Sequence, residues 1–137
     1  VGFALYGAAR GDLAVSAGDW VAYNEDLDHT PEMRRLHAML GDGRIRLRSN
    51  SLRGLVRAVA GGIGHGLLPC FVADADPGLI RLSGAEPILH RELWMLIHPD
   101  ARPLARVAAT ADWLVERFDA EAASFAGTAP SPRSAPP

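Results

Sequence analysis

The sequence contains no lysine. All 14 of its basic residues are arginine, set against 16 Asp and Glu, for a net charge of −2. An acidic balance excludes the basic footprint by which a protein wraps nucleic acid on its own. There is one cysteine, Cys70, which excludes an internal disulfide and a cysteine-based zinc site. No apolar run reaches the roughly 18–20 residues of a membrane span. The Gly-x-Ser-x-Gly elbow of a serine hydrolase is missing, and so are internal repeats. The chain opens at Val1 with no Met and no basic-then-apolar leader, which reads as an internal start. What is present suffices for a core: 137 residues, 48% of them apolar, about one ordinary domain.

Along the chain, strand-like and helix-like segments alternate. Gly2 to Tyr6 and Trp20 to Tyr23 are short apolar runs that read as strands, with a polar helical turn expected over Asp12 to Asp19. Asn24 to His29 reads as a loop. Thr30 and Pro31 then open a helix, as cap and first residue, with Met33, Leu36, His37 and Leu40 on one face. Gly41 and Gly43 stop it.

Arg44 to Arg48 alternates strictly, which points Ile45 and Leu47 one way and three arginines the other. Leu52, Leu55, Val56, Val59 and Ala60 form the stripe of the next helix. Gly66 to Pro69 reads as a buried strand, Phe71 to Asp76 as an irregular or helical turn, and Leu79 to Leu82 and Glu92 to Ile97 as the last strands. One long helix is expected from Pro103 to Phe125. The proline-rich stretch 127–137 lacks large apolar residues and reads as a disordered tail. The order implies an α/β fold with a parallel-rich sheet flanked by helices.

Several groups invite a chemical reading. Glu25, Asp26, Asp28 and His29 are dense enough for a metal or acid–base site only if they converge. In one loop before a helix they read as a solvated cluster favouring its positive end. His65, His90 and His98 are scattered, and Cys70 sits in an apolar run that suits an inert thiol. The glycines from Gly61 to Gly66 follow a helix and precede a strand, the reverse of a phosphate-binding loop. No catalytic residue, metal or cofactor is expected.

Ser49, Asn50 and Ser51 stand where a strand ends and a helix begins. That is where open α/β sheets bind small ligands and where free helix amides meet anions. The same three residues are good helix caps, and both readings stand. If the strands run parallel, Asn24, Pro69 and Phe71 reach the same edge. The mix of an amide, hydroxyls, free N–H groups and an aromatic ring suits a small organic acid.

The stretch RLRSNSLRGLVRAVAGGIGHGLLPCFVADADPGLIRL (Arg46 to Leu82) resembles the effector-binding domain of LysR-type transcriptional regulators. The resemblance is carried by Asn50-Ser51 and its apolar helix, Gly61 to Gly64, Leu67 to Pro69, and Pro77-Gly78-Leu79. DWVAYNEDLDHTPEMRRL (Asp19 to Leu36) and LWMLIHPDARPLARVAATADWLVERF (Leu93 to Phe118) resemble the family's second-subdomain start and its closing strand and helix. His65 stands where the family is usually apolar.

The resemblance implies a periplasmic-binding-protein-like fold of two subdomains. Residues 1–9 would be a crossover strand and 10–92 the second subdomain. Residues 93–126 would return to the first subdomain, ahead of the 127–137 tail. It also implies a bacterial, cytoplasmic regulator that senses a small-molecule effector and forms a homodimer or tetramer at full length. Such a regulator touches promoter DNA only through a helix-turn-helix that this chain lacks. The alternative is a fragment of a periplasmic solute-binding transport protein, which shares the fold.

Overall fold

The computed structural model describes residues 1–10 and 18–129, so most of the expected turn at Asp12 to Asp19 lies outside the described residues. The strands are β1 (Gly2–Ala8), β2 (Asp19–Ala22), β3 (Arg44–Arg48), β4 (Gly66–Pro69), β5 (Leu79–Arg81) and β6 (Leu89–His90). The helices are α1 (Pro31–Leu40), α2 (Leu52–Ala60), α3 (Cys70–Ala73), α4 (Ala105–Ala120) and α5 (Ala122–Ala126). A 3-10 turn at Glu25–Leu27 sits inside the expected loop.

The sheet is mixed rather than parallel-rich. β1 is central and antiparallel to β4, β5 and β6. β2 and β3 are parallel, and a parallel bridge from Trp20 to His65 ties β2 to the start of β4. The parallel pairs are the ones whose crossovers are α1 and α2. β1 arrives from outside that succession, so nothing constrains it to the same direction.

Alternation along the strands builds two core layers. Ala4, Tyr6, Val21 and Leu68 face Leu55, Val56 and Val59 of α2 and the buried side of α3. Phe3, Leu5, Trp20, Ala22 and Leu67 face Met33 and Leu36 of α1. This is the period-two division expected of strands covered by helices on both faces. Leu52, at the first turn of α2, is half-buried.

Four further expectations are corrected. β3 does not alternate cleanly: a bulge leaves Arg46 without a partner between the Trp20–Ile45 and Val21–Leu47 pairs. Ile45 therefore packs with the α1 layer and Leu47 with the α2 layer. Glu92 to Ile97 forms no strand, because no neighbouring strand pairs with it among the described residues. The long helix ends at Ala120, turns at Glu121 and resumes as α5. Gly127 is buried and donates to Ser124 O at 3.1 Å, so order extends past the expected start of the tail; 130–137 lie outside the described residues.

None of the residues of α4 is buried. Leu93, Trp94, Met95 and Leu96 are also exposed, Leu96 at 90%. Between Leu93–Met95 and α4 runs an apolar groove of about 470 Å³ that reaches Leu114 and Phe118.

Candidate functional site

Because β2 and β3 are parallel, both deliver their carboxyl ends to one edge of the sheet. The amide of Ser49 donates to Ala22 O at 3.1 Å and pins the two ends together. Beyond β2 comes Asn24, whose carbonyl accepts from the amide of Leu27 at 2.9 Å and opens the 3-10 turn. Beyond β3 come Ser49, Asn50 and Ser51. Ser51 is the N-cap of α2, its hydroxyl accepting from the amide of Gly54 at 3.2 Å. The Ser49 hydroxyl accepts from the amide of Ser51 at 3.1 Å. Asn50 is exposed and makes no cap; its Nδ2 reaches Asp26 Oδ2 at 3.5 Å.

Arg48 braces this edge from below. Its guanidinium donates to Tyr23 O at 2.8 Å and to Asp28 Oδ1 at 3.0 Å. Asp28 also lies 3.7 Å from His37 Nε2. The Tyr23 phenol is held above its ordinary range, by burial first and by the charge of Glu32 second, while Arg91 pulls the other way. Asp28 is thus engaged in bracing, while Glu25, Asp26 and His29 are exposed, as the solvated reading expects. Among the described residues no group of three or more His, Cys, Asp or Glu is arranged to hold a metal.

Asn24, Ser49, Asn50 and Ser51 are therefore brought to one edge. Pro69 and Phe71 are placed differently. Pro69 is buried opposite Phe3 and precedes α3. Phe71 stacks on Phe125 at 4.9 Å, and Phe125 on Phe118 at 5.0 Å. Helix α3 begins at once after Pro69, and successive helical residues point about 100° apart. Val72, not Phe71, lines the groove beside Leu52 and Val56.

The most extensive polar cluster escapes sequence reasoning. Tyr6 Oη donates to Asp74 Oδ1 at 2.7 Å, and Arg81 pairs with Asp74 through its second guanidinium nitrogen. Arg81 is 2% exposed; it also reaches Tyr6 Oη at 3.2 Å, Ala85 O at 2.6 Å and Gly127 O at 3.0 Å. Burial pushes the Tyr6 phenol well up and raises the Cys70 thiol beside it, so both stay protonated at neutral pH. The available signal was phase: Arg81 lies two residues after buried Leu79 in a strand, and so shares its inward face.

His65 is 7% exposed and meets Trp20 edge-on at 6.0 Å, filling the usually apolar position with a ring. Asp19, at the other end of β2, takes Arg44 and Arg46 at 2.8 Å each. The Arg44 hydrogen bond is the main influence holding its carboxyl below the usual range.

Comparison with curated proteins and with solved structures gives no match. No helix among the described residues is long and apolar enough to cross a membrane. Residues 12–119 match the family model described as the LysR substrate binding domain. That span takes in β2 through β6, the Asn50–Ser51 edge and all but the last residue of α4. The chain belongs to the LysR substrate-binding-domain family, the ligand-sensing regulatory domains of LysR-type transcription regulators.

Proposed function

We propose that this chain is the sensing part of a bacterial LysR-type regulator, acts without catalysing a reaction, and works in the cytoplasm. Residues 1–9 cross into the body and supply its central strand, 10–92 form the rest of it, and 93–126 belong to a second lobe. The antiparallel crossing of β1 and β6 and the exposed apolar surface of α4 support that division. DNA is read by a separate helix-turn-helix domain, in keeping with the net charge of −2 here. The family match favours this reading over a solute-binding transport protein. Ligand held between the lobes favours one arrangement of them, and a homodimer or tetramer passes the shift to the DNA-binding domains.

The effector site is the edge formed by Asn24, Ser49, Asn50 and Ser51, and the observation that carries it is their convergence through the parallel β2–β3 pair. The ligand is a small organic acid. Its carboxylate takes the free amides at the start of α2, and a donor group faces Asp26. Because Ser51 is the cap, Asn50→Ala is the cleaner test. Titrating the full-length regulator with a panel of small carboxylates should show an affinity loss of roughly ten- to hundredfold in Asn50→Ala. That corresponds to one hydrogen bond to a charged ligand, about 1.5–3 kcal/mol. Equal affinity in Asn50→Ala and wild type would remove Asn50 from the site.

A further inference from the structure

Three segments meet at one point of the molecule. β1 and β6 pair there, Gly2 opposite His90, and Arg91 N donates to Val1 O at 2.8 Å. The end of α5 lies across them. A Cβ on Gly2 would collide with the carbonyl of Ala126, and His90 Nε2 is 3.1 Å from the same oxygen. One residue on, Gly127 has φ +77°, and a Cβ there would sit 2.7 Å from Cys70 Sγ. Two glycines are thus required for the backbones to approach this closely. Arg81 closes the crossing from inside, its guanidinium on Gly127 O and Ala85 O and its carboxylate partner, Asp74, held by Tyr6. Phe71 against Phe125 adds the apolar contact.

Both chain connections between the sheet body and the outer unit of 93–97 with α4 meet at this crossing: β6 leads into 93–97, and α4 leads into α5. α4 itself buries no residue. We propose that the Tyr6–Asp74–Arg81 network is a lock on the hinge: Arg81 holds Ala126 and Gly127 across β1 and β6, and so fixes the orientation of the outer unit relative to the sheet. Arg81 is a positioning residue, acting through the Gly127 carbonyl. Arginine suits the task because a rigid guanidinium fork serves two carbonyls, a phenol and a carboxylate at once, which a single ammonium cannot reproduce. That the lock regulates lobe movement rests on the sensing role proposed above; the lock itself does not.

Amide hydrogen exchange on the whole chain, with no effector added, tests it. In Arg81→Lys, the amides of Phe125 to Gly127 should exchange at least tenfold faster, while those of α2 and of β2–β3 keep their rates. Gly127→Ala attacks the same crossing while leaving Arg81, Asp74 and Tyr6 in place, and should give the same local pattern. Exchange that rises equally in α2 and α5 in both variants would reduce the network to a general core element and overturn the lock. Unchanged rates at Phe125 to Gly127 would overturn it too. Because no effector is present, failure to bind organic acids would leave this outcome unaffected.

Discussion

Ser51 commits its hydroxyl to the amide of Gly54, whereas Asn50, one position earlier, keeps its amide for Asp26. Ser51→Ala should therefore lower stability by about 1 kcal/mol with or without ligand, the usual loss for a cap. A thermal melt reads this, and an unchanged Tm would contradict the assignment of Ser51 as cap. Tyr6 and Cys70 make a different prediction. Both are held above their ordinary ranges by burial, so the fold favours their neutral forms. Their contribution is complete below the ordinary thiol and phenol ranges, about 8.5 and 10, and is lost as pH rises above them, because the unfolded chain ionises first. Tm should fall between about pH 8.5 and 11, and Tyr6→Phe should flatten part of that fall. A wild-type Tm that stays level over this range would refute the prediction.

Helix α2 supplies Leu55, Val56, Ala58 and Val59 to one core layer. Leu55→Ala should cost about 2–5 kcal/mol, as for a buried leucine in a packed core, whereas loss of half-buried Leu114 on the largely exposed α4, in Leu114→Ala, should cost far less. Urea unfolding of the two variants compares them directly, and equal losses would mean that α4 is packed after all. The legibility of the sequence follows the same division. The stripe of α2, the Pro31 start of α1 and the GLLP strand were readable because local periodicity and tertiary burial agree there. Thr30 takes the cap position, but contrary to the expectation its hydroxyl makes no cap hydrogen bond. The bulge at Arg46 was not, because it depends on how β2 and β3 pair, and strict alternation in one strand carries no trace of its partner. Glu92 to Ile97 has the composition of a strand but, among the described residues, no neighbour to pair with, and a strand exists only by pairing. The meeting of Asn24 with Ser49–Ser51 at one sheet edge was legible from strand ends. The departure of Phe71 was hidden because α3 begins without a capping signal.

Across the whole molecule, apolar surface is distributed unevenly. Of the three tryptophans, Trp20 is 1% exposed while Trp94 and Trp113 are 75% and 58% exposed. Large exposed apolar patches mark surfaces that meet another part of a protein. Acrylamide should quench most of the emission from Trp94 and Trp113. The double variant Trp94→Phe, Trp113→Phe should leave a poorly quenched signal from Trp20 alone; strong quenching in that variant would contradict the buried position of Trp20. The opposite border of the molecule is β3, which among the described residues pairs only with β2. A bare strand edge invites a second chain to dock on it and begin a growing fibre. Here the ribbon is kinked at Arg46, and it carries Arg44 and Arg46 on side chains drawn toward Asp19. An incoming strand would meet a ladder distorted at Arg46, so the bulge that broke the alternation also guards this border against edge-to-edge polymerisation.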